Sequence, residues 1–122
     1  ALASTVAHDS HNLIVVGVDD QDMLTAAVAL QEAGGGLAVV VDGEVKAMLP
    51  LPLAGLMSDQ NTEYVQHKLQ QLNFWTAELG VPENVNAFNC LSFLALPVIP
   101  SLRLSDKGLV DVGKFAIVDL WE

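Results

Sequence analysis

The sequence has one cysteine, five basic residues and no long apolar run. Cys90 has no second cysteine with which to form an internal disulfide, and this favours a reducing compartment such as the cytoplasm. Fifteen acidic residues against five basic ones give a formal net charge of −10, which repels nucleic acid and anionic membrane surfaces. No apolar run reaches the ~18 residues of a membrane-spanning helix. We therefore expect a cytoplasmic protein that binds neither nucleic acid nor membranes.

The length and the apolar content predict one domain with a surplus of apolar side chains. A chain of 122 residues is too short for a catalytic (β/α)₈ barrel, which needs about 250 residues. Apolar residues make up 52%, and many of them lie in two proline-containing stretches, residues 47–57 (AMLPLPLAGLM) and 91–100 (LSFLALPVIP). These stretches either dock onto a missing partner or line the domain's own core. Because the chain starts with Ala1 inside a β-like run, we expect an excised fragment.

Hydrophobic patterning predicts a single α/β domain, with α+β as the alternative, built on a mixed sheet and two main helices. Residues 12–18 (NLIVVGV) have the pattern of a buried strand, and the acidic residues after them suit the start of a helix. The glycines at 34–36 end that helix, and residues 37–41 (LAVVV) predict another strand. Strand, helix and strand in this order predict a βαβ unit with parallel strands and a right-handed crossover.

The remaining elements follow from turn signals and from helical periodicity. Asp42-Gly43 between two apolar runs predicts a two-residue β-hairpin turn, in which both residues need positive φ. Apolar residues spaced by three and four predict the longest helix, from about Ser58 or Asp59 to Leu79. The pattern after position 89 is irregular and favours short strands around a turn at residues 106–108.

The segment AHDSHN at residues 7–12, here called the polar cluster, concentrates the chemically capable side chains. Its candidate residues are His8, Asp9, Ser10, His11 and Asn12. A catalytic metal needs at least three converging protein ligands, whereas neighbouring residues on a strand point to opposite faces. Three interpretations remain open: a metal site, a turn in which a carboxylate restrains a histidine, and a cluster that completes the active site of another domain.

Other side chains give weaker signals. His67 lies on the second predicted helix and is expected at the surface. Cys90 lies next to an apolar stretch, where a lone cysteine is usually a small buried residue. The glycines at 34–36 precede a strand and not a helix, so they predict a helix cap and no phosphate-binding loop.

Four stretches together resemble a known family: VAHDSHNLIVVGVDDQDM, GGGLAVVVDGEV, LPLPLAGLMSD and LSFLALPVIPSLRLSDKGLVDV. They are similar to the C-terminal domain of bacterial and archaeal adenine deaminases. These enzymes of the amidohydrolase superfamily convert adenine and water into hypoxanthine and ammonia. The resemblance spans nearly the whole chain, but the stretch QLNFWTAELGVPENVNAFNC matches only in outline. Cys90 also stands where a small polar residue is expected.

The resemblance implies a reaction at a divalent metal, either manganese, iron or zinc, held by an N-terminal barrel that carries a His-x-His pair. No His-x-His occurs here, so we assign no catalytic residue and no metal ligand to this chain. The resemblance further implies an accessory domain that packs on that missing barrel, is inactive alone and belongs to a homo-oligomer. The polar cluster would then contribute to the substrate pocket or support the metal ligands. The alternative is an independent small-molecule or metal-binding module that uses the polar cluster.

Overall fold

Residues 1–121 of the chain are described by a computed structural model, which contains seven strands and three helices. The elements are β1 (Leu2–Ser4), β2 (Ile14–Val16), α1 (Asp20–Glu32), β3 (Gly36–Val41), β4 (Glu44–Pro50), α2 (Thr62–Glu78), α3 (Ala87–Ser92), β5 (Leu102–Ser105), β6 (Gly108–Asp111) and β7 (Ala116–Val118). The mixed fold class is confirmed, in its α+β form. No helix within residues 1–121 is long and apolar enough to cross a membrane.

The first sheet has the order β2-β1-β3-β4, and all neighbouring strands are antiparallel. The two strands of the predicted βαβ unit, β2 and β3, do run in the same direction, because each is antiparallel to β1. They do not pair with each other, however, since β1 lies between them, so the sheet is antiparallel and not the mixed sheet that the βαβ unit predicted. As a result β2 lies at the edge of the sheet, and the prediction of a buried strand was wrong: Val16 is 45% exposed. A second sheet has the order β5-β6-β7.

The predicted limits of α1 are confirmed. The Asp19 carboxylate accepts a hydrogen bond from the backbone N–H of Asp22 at 2.9 Å, which satisfies one of the free donors at the helix start. The helix ends at Glu32, and its capping residue Ala33 directly precedes the three glycines. Its buried residues Ala26 and Leu30 pack on one face of the first sheet, against small and branched side chains of β1 and β3.

The hairpin between β3 and β4 has the predicted turn. Asp42 and Gly43 both have positive φ, 53° and 75°, and Val41 pairs with Glu44 across the turn. On β4, the Lys46 ammonium donates a hydrogen bond to the Glu44 carboxylate, and this bond holds the pKa of Glu44 below its ordinary value. The register of the ladder shifts between residues 39 and 40, at a β-bulge or similar irregularity.

The helix α2 is the longest element, as predicted, but it begins at Thr62 and so later than Ser58 or Asp59. The Asn61 side chain is the actual cap, because it accepts from the N–H of Tyr64 at 2.9 Å. Ser58 instead accepts from the N–H of Gln60 in the turn before the helix. The helix packs on the second face of the first sheet, where its buried Leu72 joins the larger apolar core.

The two proline-containing apolar stretches contribute both to the core and to the surface. Leu51 and Leu96 are buried, whereas Met57 is 60% and Val98 68% exposed. Pro50 is the last residue of β4, an edge strand, where a missing N–H is tolerated. The second stretch includes the end of the short helix α3, which the sequence did not predict. The predicted hairpin at residues 106–108 is present between β5 and β6.

Candidate functional site

The polar cluster lies in the loop that joins β1 to β2. His8, Asp9 and Ser10 form a turn, and the N–H of Ser10 donates to the carbonyl of His8 at 3.0 Å. Asp9 and His11 have positive φ, 66° and 49°. The reversal is required because β1 and β2 are antiparallel neighbours. The centre of the cluster is therefore a tight turn at residues 8–10 and not a regular strand.

One side of the loop is anchored to α3. The backbone N–H of His8 donates to the carbonyl of Ser92 at 3.0 Å. The His8 imidazole stacks on the Phe93 ring, with the ring centroids 5.4 Å apart and the planes at 26°. Ala7 is buried beside these contacts. A short helix from a distant part of the sequence thus fixes the start of the polar cluster.

The base of the loop is held by Thr5. Its hydroxyl donates to the carbonyl of Gly55 at 2.6 Å and accepts from the N–H of Gly36 at 2.8 Å. Its backbone N–H also donates to the carbonyl of Gly36 at 3.0 Å. One hydroxyl therefore joins three chain segments directly before the polar cluster begins.

We expect Thr5→Val to destabilise the domain by about 1–3 kcal/mol, because it leaves the Gly36 N–H and the Gly55 carbonyl without this partner in a part-buried position. Thr5→Ser keeps the hydroxyl and is the matched control, with a smaller loss. Urea unfolding of the wild type and both variants measures the difference. Equal stability of the valine and serine variants would contradict a role for the hydroxyl.

The side chains of the polar cluster face solvent. His8 Nδ1 and Asp9 Oδ1 are 3.7 Å apart, and these side chains are 52% and 76% exposed. This distance is too long for a hydrogen bond, so the pair is at most a weak surface ion pair. Ser10, His11 and Asn12 are exposed as well. The loop backbone is therefore anchored by hydrogen bonds, while the polar side chains of residues 9–12 are exposed.

The other candidate residues lie apart from the cluster. His67 is exposed on α2, as predicted. Cys90 is exposed on α3, so the prediction of a buried thiol was wrong: its position on the short helix points it outwards. Within residues 1–121, no group of three or more histidine, cysteine, aspartate or glutamate side chains is arranged to hold a metal ion.

Two open clefts flank the cluster, and neither was predicted from the sequence. Asn12 lines a cleft of about 470 Å³ between β2 and the β5–β6 hairpin. His11 lines another of about 310 Å³, together with Thr5 and Gly35. Both clefts are formed by segments far apart in the sequence, so no local pattern could have indicated them. The Thr5 anchor was missed for the same reason.

The arrangement defines a small α+β domain with an exposed polar loop between its first two strands. The family model of the adenine deaminase C-terminal domain matches residues 1–116, and the chain belongs to this family. It is 60% identical to the adenine deaminase of Oleidesulfovibrio alaskensis over 121 residues, 99% of this chain. It is 55% identical to adenine deaminase 2 of Carboxydothermus hydrogenoformans over 118 residues, 97% of this chain. In both cases the match spans only 21% of the relative.

Proposed function

We propose that this chain is the accessory C-terminal domain of an adenine deaminase, the enzyme that converts adenine and water into hypoxanthine and ammonia. The family match over residues 1–116 and the names of the relatives support this assignment. In the whole protein, the domain packs on an N-terminal barrel of the same polypeptide, which holds the metal. We further propose that the enzyme is a cytoplasmic homo-oligomer and that this domain is inactive alone.

One observation supports a role of the polar cluster at the substrate pocket. The backbone of its loop is anchored, whereas most of its polar side chains are exposed. Its loop is held by Thr5 and Ser92, and the His8 ring stacks on Phe93, whereas the side chains of Asp9, Ser10, His11 and Asn12 are exposed. Such groups hydrogen bond well to the ring nitrogens and amino group of a purine, or to the side chains that bind a metal. We propose that the cluster lies at the pocket of the whole enzyme and orients one of these.

The metal of the parent enzyme, whether manganese, iron or zinc, does not fit the residues of this domain. Water activation needs an ion with several converging protein ligands. The described part of the chain, residues 1–121, offers no group of three such side chains. His8 and Asp9 alone provide one loose pair. We therefore assign no metal-dependent step to this domain, only binding and orientation by its polar cluster.

In the full-length enzyme, His8→Ala, Asp9→Asn and His11→Asn should each lower kcat/KM for adenine by roughly 10- to 100-fold, the usual effect of removing a group that orients metal or substrate ligands. Asparagine replaces the two residues with positive φ because it tolerates the left-handed conformation. Steady-state kinetics and the metal content of each variant are measured together, and the metal content should stay unchanged.

His67→Ala is the matched control, because it removes the third histidine from an exposed position on another element. Its kinetics should equal those of the wild type. Wild-type kinetics in all three cluster variants would reduce the cluster to a structural turn. Loss of bound metal in the His8 or His11 variant would instead make that residue a metal ligand and overturn the supporting role proposed here.

A further inference from the structure

The two histidines of the polar cluster differ in how their rings are held. The His8 imidazole stacks on the Phe93 ring, with the centroids 5.4 Å apart and the planes at 26°. Within residues 1–121, the His11 ring has no stacking partner of this kind. The fold therefore supports one imidazole of the cluster and leaves the other without this support.

Phe93 is fixed by its neighbours along the chain and not by the loop that it contacts. It is the C-terminal capping residue of α3, a helix that packs beside β1 and β2. Before it in the sequence, Leu91 is buried. After it, the carbonyl of Leu94 accepts a hydrogen bond from the N–H of Leu104 on β5 at 3.1 Å. The Phe93 ring is therefore a support whose position is set by two other parts of the fold.

The contacts of the His8 ring leave one of its two nitrogens for another group. One face of the ring lies on Phe93, and Nδ1 is on the side of the Asp9 carboxylate, 3.7 Å from Oδ1. Nε2 lies at the other end of the imidazole, and the His8 side chain is 52% exposed. The backbone N–H of His8 donates to the carbonyl of Ser92, so the end of α3 holds both the main chain and the ring of this residue.

We propose that Phe93 is a positioning residue of the deaminase: its ring holds the His8 imidazole so that Nε2 forms a hydrogen bond with the purine or with a side chain that binds the metal. This inference rests on the proposed function. A side chain that is already held in its binding orientation loses less conformational entropy when it binds. Hydrogen bonds also weaken steeply when donor and acceptor are misaligned, so the orientation of the ring matters. Phe93 thus acts through His8.

In the full-length enzyme, Phe93→Leu removes the flat ring but keeps an apolar side chain. It should lower kcat/KM for adenine by about 3- to 10-fold, because His8 must then be ordered during binding. Phe93→Tyr keeps the ring and should stay within about 2-fold of the wild type. Phe88→Leu is the matched control and should also stay near the wild type, because Phe88 is on α3 but packs against the larger apolar core. Equal kinetics of the two Phe93 variants would refute the proposal.

A double-mutant cycle shows whether Phe93 acts through His8. In a His8→Ala enzyme, adding Phe93→Leu should change kcat/KM by less than about 2-fold, because the imidazole that the ring positions is absent. The same loss in both backgrounds would show a structural role that is independent of His8 and would refute the proposal. Circular dichroism measures the folded fraction of each variant, and Phe93→Met repeats the comparison if the leucine variant does not fold.

The single variants separate this inference from the proposed function. Wild-type kinetics of His8→Ala would contradict a role of His8 at the pocket, and the inference would fail with it. An impaired His8→Ala enzyme beside a normal Phe93→Leu enzyme would refute the inference alone.

Two amide side chains at position 8 distinguish the two ring nitrogens. Glutamine places its amide group near the position of Nε2, whereas the shorter asparagine places it near that of Nδ1. We expect His8→Gln to retain at least about 5-fold more kcat/KM for adenine than His8→Asn, because only the longer side chain can form the hydrogen bond assigned to Nε2. Equal values, or the reverse order, would overturn the assignment to Nε2.

Discussion

Purified alone and supplied with adenine and manganese, iron or zinc, the 122-residue chain will release no hypoxanthine above the metal-only control. Hydrolytic deamination at a metal needs an ion held by several converging ligands, and residues 1–121 contain no group of three suitable side chains. Enzymes accelerate their reactions by roughly 10⁶-fold or more, so a chain without such a site should show no measurable turnover.

The assay follows hypoxanthine over hours, and the full-length enzyme under the same conditions is the positive control. Adding the isolated domain to a barrel that lacks it gives a second comparison, since recovery of turnover would support an accessory role. The isolated domain can be repurified without metal and then supplied with metal again. Turnover that persists after this treatment would contradict the proposal that the domain is inactive alone.

Gly36→Ala should destabilise the domain by about 4 kcal/mol or more, among the largest effects expected of a single substitution. Gly36 has φ +146°, a backbone conformation that residues other than glycine rarely adopt. A Cβ added at this position would lie 2.2 Å from the carbonyl oxygen of Leu49. That oxygen belongs to the neighbouring strand and cannot move aside without breaking the ladder. The free energy of unfolding, measured in urea, or loss of the cooperative transition, reports the effect.

Gly80→Ala is the control for backbone conformation alone. Gly80 also has positive φ, +91°, but nothing lies within 4 Å of an added Cβ. Its cost should be about 1–2 kcal/mol, the ordinary penalty of the left-handed region. If the two variants were equally stable, the contact with Leu49 would not determine the need for glycine at position 36.

The features that were predictable from the sequence depend on groups close together along the chain. The Asp42-Gly43 turn, the Asp19 cap of α1 and the hairpin after residue 105 each involve a few consecutive residues with restricted backbone conformations. The start of α2 was misplaced because several polar residues before it are all good caps. Only the actual hydrogen bond from Tyr64 to Asn61 distinguishes them.

For the candidate site, the composition of residues 7–12 was enough to predict a polar turn, but not what holds it. The Thr5 hydroxyl reaches Gly36 and Gly55, 31 and 50 positions away, and α3 lies farther still. Such contacts leave no periodic signal, because any hydroxyl and any backbone amide can form them once the fold brings them together. The expected restraint of a histidine by the neighbouring Asp9 carboxylate is not formed: His8 Nδ1 and Asp9 Oδ1 are 3.7 Å apart, because adjacency along the chain does not determine how two exposed side chains are oriented.

Sequence alone established the family resemblance, the α and β content and the position of the polar cluster. These three features depend on the order of the residues and on the backbone preferences of short segments, so they can be predicted before the tertiary structure is known. The placement of β1 between β2 and β3, and with it the unpaired edge of β2, emerged only from the assembled sheet. The hydrogen bonds between strands join backbone groups that are nearly identical in every residue, so they do not identify the partner of a strand. The strand order also depends on which apolar faces can be buried together, and it is therefore a property of the whole chain.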